Sequence, residues 1–323
     1  MTNKEKYTIF CEQNDFVPIF SQPWWMDAVC IDGYWDVLLY EKNEEILGAL
    51  PYYVKKRWGI SYITQPEFTQ NNGVVIKYPQ NQKYEKKLSY EKEVMTALIE
   101  QLEGLSVAFY QQAFNCRYTN WLPFYWKGYS QSTSYTYRIE DITEIDKVLE
   151  NFDYSKKKNI NKALKSVDVS YDLSAEQFYE NHKISLEKQN DTIGYSFKLF
   201  KRIYDAAYSH GKGKVICCRD KEKNIHVALF VIWDAETAYD LISTIDPEYR
   251  NSGAASLAVY EIIKYVKTQG ITGFDFEGSM IEGVENSFRK FGTVQTPYFF
   301  ICKIMTKNPL LRILIDRKLR ETR

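Results

Sequence analysis

The sequence predicts an α/β protein built from two similar domains, and three observations carry that reading. The chain has 323 residues, which at roughly 100–200 residues per domain suits two domains or one large one. The stretch "YEKNEEILGALPYYV" (40–54) resembles "RDKEKNIHVALFVIW" (219–233): a strand end, a charged turn, then an apolar strand, with Asn43 and Asn224 marking tight hairpins. Beyond each hairpin the two halves match again. Met95, Leu98, Ile99 and Leu102 recur at helical spacing, as do Val259, Ile262, Ile263 and Val266. Each helix runs to a glycine, Gly104 or Gly270, and then to a short apolar strand, "SVAFY" (106–110) or "TGFDFEG" (272–278). The shared order predicts a duplication split near residue 150. A cleft between such domains is a favoured ligand site.

Between the halves, "YSKKKNINKALKSVDVSY" (154–171) predicts a helix with Ser155 as N-cap. Ile160, Leu164 and Val167 form its apolar stripe. Lys158, Lys162 and Lys165 form another face, with Lys156 and Lys157 just before it. That face is either solvated or a phosphate-contacting surface, for tRNA or a nucleotide sugar. Two more helical stretches follow, 174–189 and 196–211. The C-terminal "NPLLRILIDRKLRETR" (308–323) is apolar and basic, suited to docking on its own protein or to peripheral contact with an anionic membrane.

Composition narrows the function. Lys plus Arg is 42 and Asp plus Glu is 42, so no global field draws DNA, and any anionic partner must use a local patch. The N-terminus has no signal-peptide stretch, and the apolar run 227–233 is too short to span a bilayer. Six cysteines and three histidines show no metal-ligand spacing, so no metal is expected. A cytoplasmic location is the expectation.

"DPEYRNSGAASLAVYEII", from Asp246, sets Arg250 and a small-residue cluster at a helix start. Free N–H groups and a partial positive charge suit phosphate there, and small residues let a ligand approach or let the helix pack tightly. Asp275 and Glu277 stand two apart on a strand, hence on one face. Burying two carboxylates unpaired is costly, which makes them candidate bases, a salt-bridge network being the alternative. Asp240 is a third candidate. Phe288 and Phe291 flank Arg289 and Lys290, a pair of anchored cations or a solvated helix end. Cys217 and Cys218 read as core, and His226 as an exposed strand residue.

Residues 242–279, "ISTIDPEYRNSGAASLAVYEIIKYVKTQGITGFDFEGS", resemble the core of the GNAT acetyltransferase superfamily. The loop Arg250, Asn251, Ser252, Gly253, Ala254, Ala255 is similar to that family's Arg/Gln-x-x-Gly-x-Gly/Ala. "GFDFEGSMIEGVENSFRKFG" (273–292) resembles the aromatic-Asp-Phe-Gly…Phe-Lys-x-Phe-Gly ending of FemABX-like double-GNAT acyltransferases. "SKKKNINKALKSVDV" and "IFSQPWWMDAV" (19–29) resemble two further segments of that group.

The resemblance implies two GNAT-like domains, each a mixed sheet flanked by helices. Residues 1–150 would serve the acceptor or the architecture, and 151–323 would hold the pyrophosphate of acetyl-CoA or another acyl-CoA on the 250–255 loop. It implies an N-acyltransferase acting on an amine, a small molecule or a cell-envelope sugar or peptide precursor. Strand 239–245 would offer a backbone N–H to the acyl carbonyl. Asp275 or Glu277 would take the proton, Arg289 and Lys290 would support the carbonyl or a phosphate, and Tyr298 would protonate the leaving group. Gly253→Val would weaken donor binding while sparing the fold. The chain departs from the family pattern in having no heptad arm, Asn159 in place of an arginine, and Glu277 in place of a glycine. A tRNA-dependent aminoacyltransferase on a peptidoglycan precursor, or a non-catalytic double-GNAT binding protein, are the alternatives.

Overall fold

The computed structural model describes residues 1–278 and 280–321, in two compact units. Unit 1 takes Met1–Ser134 and the chain from Pro297 onward, and unit 2 takes Tyr135–Thr296. The division expected near residue 150 therefore differs from the units: 135–150 belong to unit 2, and the C-terminal segment returns to unit 1.

Unit 1 opens with α1 (Asn3–Gln13) and α2 (Pro23–Val29), and α1 is started by a capping box in which Thr2 and Glu5 serve each other's backbone N–H. β1 (Tyr34–Lys42), β2 (Glu45–Arg57) and β3 (Ile60–Thr64) form an antiparallel meander, with β4 (Val75–Ile76) on β2. Asn43 and Glu44 both take positive φ, 53° and 65°, so the expected turn is a two-residue hairpin of the twist-compatible kind. α3 (Tyr84–Glu103) crosses to β5 (Phe109–Ala113), parallel to β3; α4 (Leu122–Trp126) follows. The helical stripe read from sequence is the buried one: Met95, Leu98, Ile99 and Leu102 are fully enclosed. Each contributes roughly 1.5–3 kcal/mol of apolar burial.

β6 (Ser130–Ile139) carries the chain into unit 2, where α5 (Ile145–Asn151), α6 (Tyr154–Ala163), β7 (Asp168–Ser170), α7 (Ala175–Glu187) and α8 (Phe197–Ser209) follow. The meander recurs as β8 (Gly213–Arg219), β9 (Ile225–Trp233) and β10 (Thr237–Ile245). α9 (Ala254–Thr268) then crosses to β11 (Gly273–Asp275), parallel to β10. After α10 (Glu282–Phe288), β12 (Val294–Ile304) pairs antiparallel with β5 in unit 1, and α11 (Pro309–Glu321) ends the chain. In unit 2, β6 pairs antiparallel with β11. Each unit thus has three antiparallel strands, a helical crossover, a parallel strand and an antiparallel closing strand: a mixed sheet flanked by helices, built twice. Each has its own apolar core.

Local expectations shift in four places. The strand expected at 106–110 lies at 109–113, and the one at 272–278 ends at Asp275. The α6 cap is Asp153, whose carboxylate accepts the Ser155 N–H at 2.8 Å. His226 is buried, not exposed; its ring stacks on Tyr249 at 3.9 Å and its Nε2 lies 3.2 Å from Asp220. Cys217 and Cys218 are core, as expected. Among the described residues no helix is long and apolar enough to cross a membrane.

Candidate functional site

The candidate site lies in unit 2, where β10 and β11 part. They pair over Thr237–Tyr239 and Gly273–Asp275 only. Past that point β10 continues along β9, with a bulge between Asp240 and Ile242. A bulge bends its strand and leaves one residue unpaired. The β11 side turns away: Phe276 N–H reaches Tyr137 O at 3.0 Å, and Glu277 then adopts φ +57°. That left-handed conformation is unfavourable for a residue with a Cβ. Gly278 completes the turn at φ +68°, where a Cβ would stand 2.2 Å from Tyr135 O. The tight approach to β6 therefore sets where β11 ends.

Three carboxylates gather here. Asp275 is buried; Thr136 Oγ1 donates to it, Arg138 Nε lies 3.4 Å away, and Glu277 N–H donates to it at 2.8 Å. Burial raises its pKa to about 6, with Thr136 and then Arg138 pulling the other way. Asp240, also buried, accepts from Ser243 Oγ at 2.7 Å, and burial raises it to about 6. Glu277 is pushed well up, first by burial of its carboxyl and then by the charges of Asp275 and Asp240. Two oxygens, Asp240 Oδ1 and Glu277 Oε1, are buried without a hydrogen-bond partner among the described residues. Burial and two acidic neighbours thus favour the protonated form at Glu277 most strongly, while Thr136 and Arg138 favour the carboxylate at Asp275. Strand separation, a strained residue and unanswered buried carboxyl oxygens occur together, a combination typical of functional sites.

Beyond the C-terminal end of β10, Asp246 accepts the Glu248 N–H at 3.0 Å and pairs with Lys188 at 2.7 Å, shaping the turn into α9. Gly253 precedes α9 at φ +85°, and a Cβ on it would meet Asn159 O at 2.3 Å. Its bareness is thus used by α6, which lies against the loop. Ala254 is buried, its N–H held by Ser252 Oγ at 3.2 Å. Lys162 Nζ donates to Asn251 O at 2.5 Å, and Arg250, exposed, donates to Gln189 Oε1. Ala255 is half-buried in the first turn. Expecting Gly253→Val to spare the fold is accordingly mistaken, because the side chain would run into the α6 backbone.

Among the described residues no ion pair joins Arg289 or Lys290 to these carboxylates. Arg289 is exposed and engages Glu285 at 3.6 Å and Asn286 at 2.9 Å, while the Lys290 carbonyl accepts Asp153 N–H at 2.8 Å. The cation at Asp275 is Arg138. Phe288 and Phe291 do anchor this segment, packing on Phe276 at 4.9 and 5.2 Å. Tyr298 belongs to unit 1, its ring 5.9 Å from Phe300. Sequence reasoning missed Thr136 and Arg138, whose signal was polar residues alternating along "YTYRI" on one strand face. It also missed that Lys156 is buried, with Nζ 4.0 Å from the Phe291 ring centroid and 2.9 Å from Ser287 Oγ. Burial, then Lys290, lowers its pKa to about 8. No group of three His, Cys, Asp or Glu suited to a metal occurs among the described residues.

The family model for an acetyltransferase (GNAT) domain matches residues 152–286. Solved structures similar to the chain cover nearly all of it. The crystal structure of FemX superposes with a TM-score of 0.74 at 14% identity, covering 97% of this chain and 98% of FemX. A tandem GNAT protein from the clavulanic acid biosynthesis pathway gives 0.55 at 8% identity, covering 95% and 98%. L-PGS from Bacillus licheniformis gives 0.53 at 11% identity, covering 97% and 96%. No curated protein matches the chain. The chain has a double-GNAT fold like that of FemX, and the GNAT domain model matches its residues 152–286.

Proposed function

We propose that the protein is an N-acyltransferase whose reaction centre is the opening between β10 and β11. The observation that carries this is the parting of the two strands with Asp240, Asp275 and Glu277 at its mouth. The acceptor amine loses a proton to an ionised carboxylate, Asp275 or Asp240, as its nitrogen bonds the acyl carbon. The bond from acyl carbon to the donor's sulfur or oxygen breaks, and the leaving group takes a proton in turn from water. Backbone N–H of β10 past its bulge steadies the carbonyl oxygen as charge builds on it.

The donor in this reading is an acyl-CoA, its phosphates at the α9 N-terminus with Arg250 and Lys162 as counter-charges and the Asn251–Ala255 backbone beside them. Arg289 and Lys290 remain candidate phosphate or carbonyl contacts. The second reading, an aminoacyl-tRNA donor, is favoured by one observation: α6 lies on Gly253, using the room that a close pyrophosphate would need. The acceptor is an amine of a small molecule or envelope precursor. Unit 1 serves the acceptor or the architecture. Mass spectrometry of reactions offering acetyl-CoA or alanyl-tRNA to amino-sugar and peptide amines tests the reading. Acylated amine with either donor supports it and selects the donor; no product with both, from folded protein, overturns it.

A further inference from the structure

Unit 1 carries a second feature at one end of its sheet. Ala108 N–H donates to Ser61 O at 2.8 Å, and Met305 and Thr306 N–H donate to Ala108 O at 2.9 and 3.0 Å. β3, β5 and β12 are therefore level there. Three residues before Ser61 is Trp58, at the tip of the β2–β3 hairpin. Three residues after Thr306 is Pro309, where α11 starts. The hairpin tip and the helix start leave the same end of the sheet, with one strand between them, a lateral spacing on the order of 10 Å.

Both are apolar and bare. Trp58 is 86% exposed and holds φ +50° in a two-residue turn, a conformation that disfavours a bulky side chain. An asparagine would serve that turn better. On α11, Leu310, Ile313 and Leu314 form one stripe, 73%, 65% and 64% exposed, while Leu311, Ile315 and Leu319 on another face are half-buried. Exposed Lys56 and Arg57 adjoin the tryptophan, with the Arg57 guanidinium 4.5 Å from its ring centroid, and exposed Lys307 and Arg312 adjoin the aliphatic stripe.

We propose that this end of unit 1 is a membrane-docking surface for a bilayer containing anionic phospholipids. Tryptophan favours the headgroup level, the aliphatic stripe enters the acyl boundary, and the cations meet lipid phosphates. Single-stranded RNA would suit Trp58 and the cations, but three aliphatic side chains offer bases no stacking face. A second copy of this surface would set like charges against each other.

Co-sedimentation of the full chain with phosphatidylcholine vesicles, with and without phosphatidylglycerol, tests it without reference to catalysis. The protein should pellet with the anionic vesicles, less so as salt rises, and Trp58→Ser or Ile313→Asp should weaken binding about tenfold with an unchanged melting temperature. If Ile313→Asp lowers the melting temperature, Trp58→Ser and Arg57→Glu decide. Failure to pellet with anionic vesicles, equal pelleting with both vesicle types, or binding indifferent to these variants overturns the proposal. So does loss of tRNA binding or of self-association in the same variants when the unmutated protein ignores vesicles.

Discussion

Unit 1 sets β3 beside β5 through Ile63 and Tyr110, much as unit 2 sets β10 beside β11. Beyond that pairing the two differ. In unit 1 the segment leaving β3 stays on β5: Gln65 Oε1 accepts Ala113 N–H at 2.9 Å, and Asn72 N–H donates to Ala113 O at 2.8 Å. The Phe114 ring lies where a Cβ on Gly73 would stand, 2.3 Å away. The space beside the parallel strand is filled with the protein's own chain. In unit 2 the corresponding space is bordered by three carboxyl groups, two of them with an unanswered oxygen. One topology closes its strand opening in one copy and keeps it chemically charged in the other. That difference is the reason to seek the reaction in unit 2.

The comparison breaks most sharply at Asp275. Asp275→Asn should slow acylation by at least about 10²-fold if it is the base, whereas Gln112→Leu beside the closed opening of unit 1 should leave the rate near that of the unmutated protein. Rates in a steady-state assay check both. Gly253→Val should cost about 3 kcal/mol of stability, since it combines strain at φ +85° with a collision against Asn159 O. Urea denaturation measures this, and an unchanged midpoint would sink the packing role given to that glycine.

A smaller effect follows from titration. Asp240 and Asp275 have folded pKa values of about 6, above their unfolded value, so the folded state holds those protons more tightly. Stability they contribute is present at low pH and is lost as pH rises from near 4 through about 6. Asp240→Asn should flatten that fall. Denaturation midpoints across this window will show it. Lys156 has the opposite sign of charge: its lowered pKa makes its protonated form a cost below about 8, relieved as pH rises. Lys156→Met should therefore raise stability at neutral pH, because it removes that cost and Phe291 offers the new side chain an apolar neighbour.

The duplicated architecture was legible because it rests on local patterns. The Asn43 turn, the Met95–Leu102 stripe and the Val259–Val266 stripe are each fixed by neighbours within a few residues. The unit boundary was not, because the return of β12 to β5 depends on pairing across almost two hundred positions. The candidate site was half legible. Asp275, Glu277 and Asp240 stood out as acids among apolar strand residues. That Glu277 turns off the strand depends on Gly278 meeting Tyr135, and that Arg138 rather than Arg289 accompanies Asp275 depends on the β6–β11 register. His226 misled because its burial comes from Tyr249, which lies beyond the next strand.

The reaction centre assigned to unit 2 is tested most directly by the pH dependence of kcat/KM for amine acylation, in the unmutated protein and in Asp275→Asn. An ionised carboxylate in the β10–β11 opening predicts an acid limb that falls below pH about 6 and is lost or displaced in the variant. An identical limb in both proteins, with near-equal rates on the plateau, would contradict it and move proton removal out of this opening.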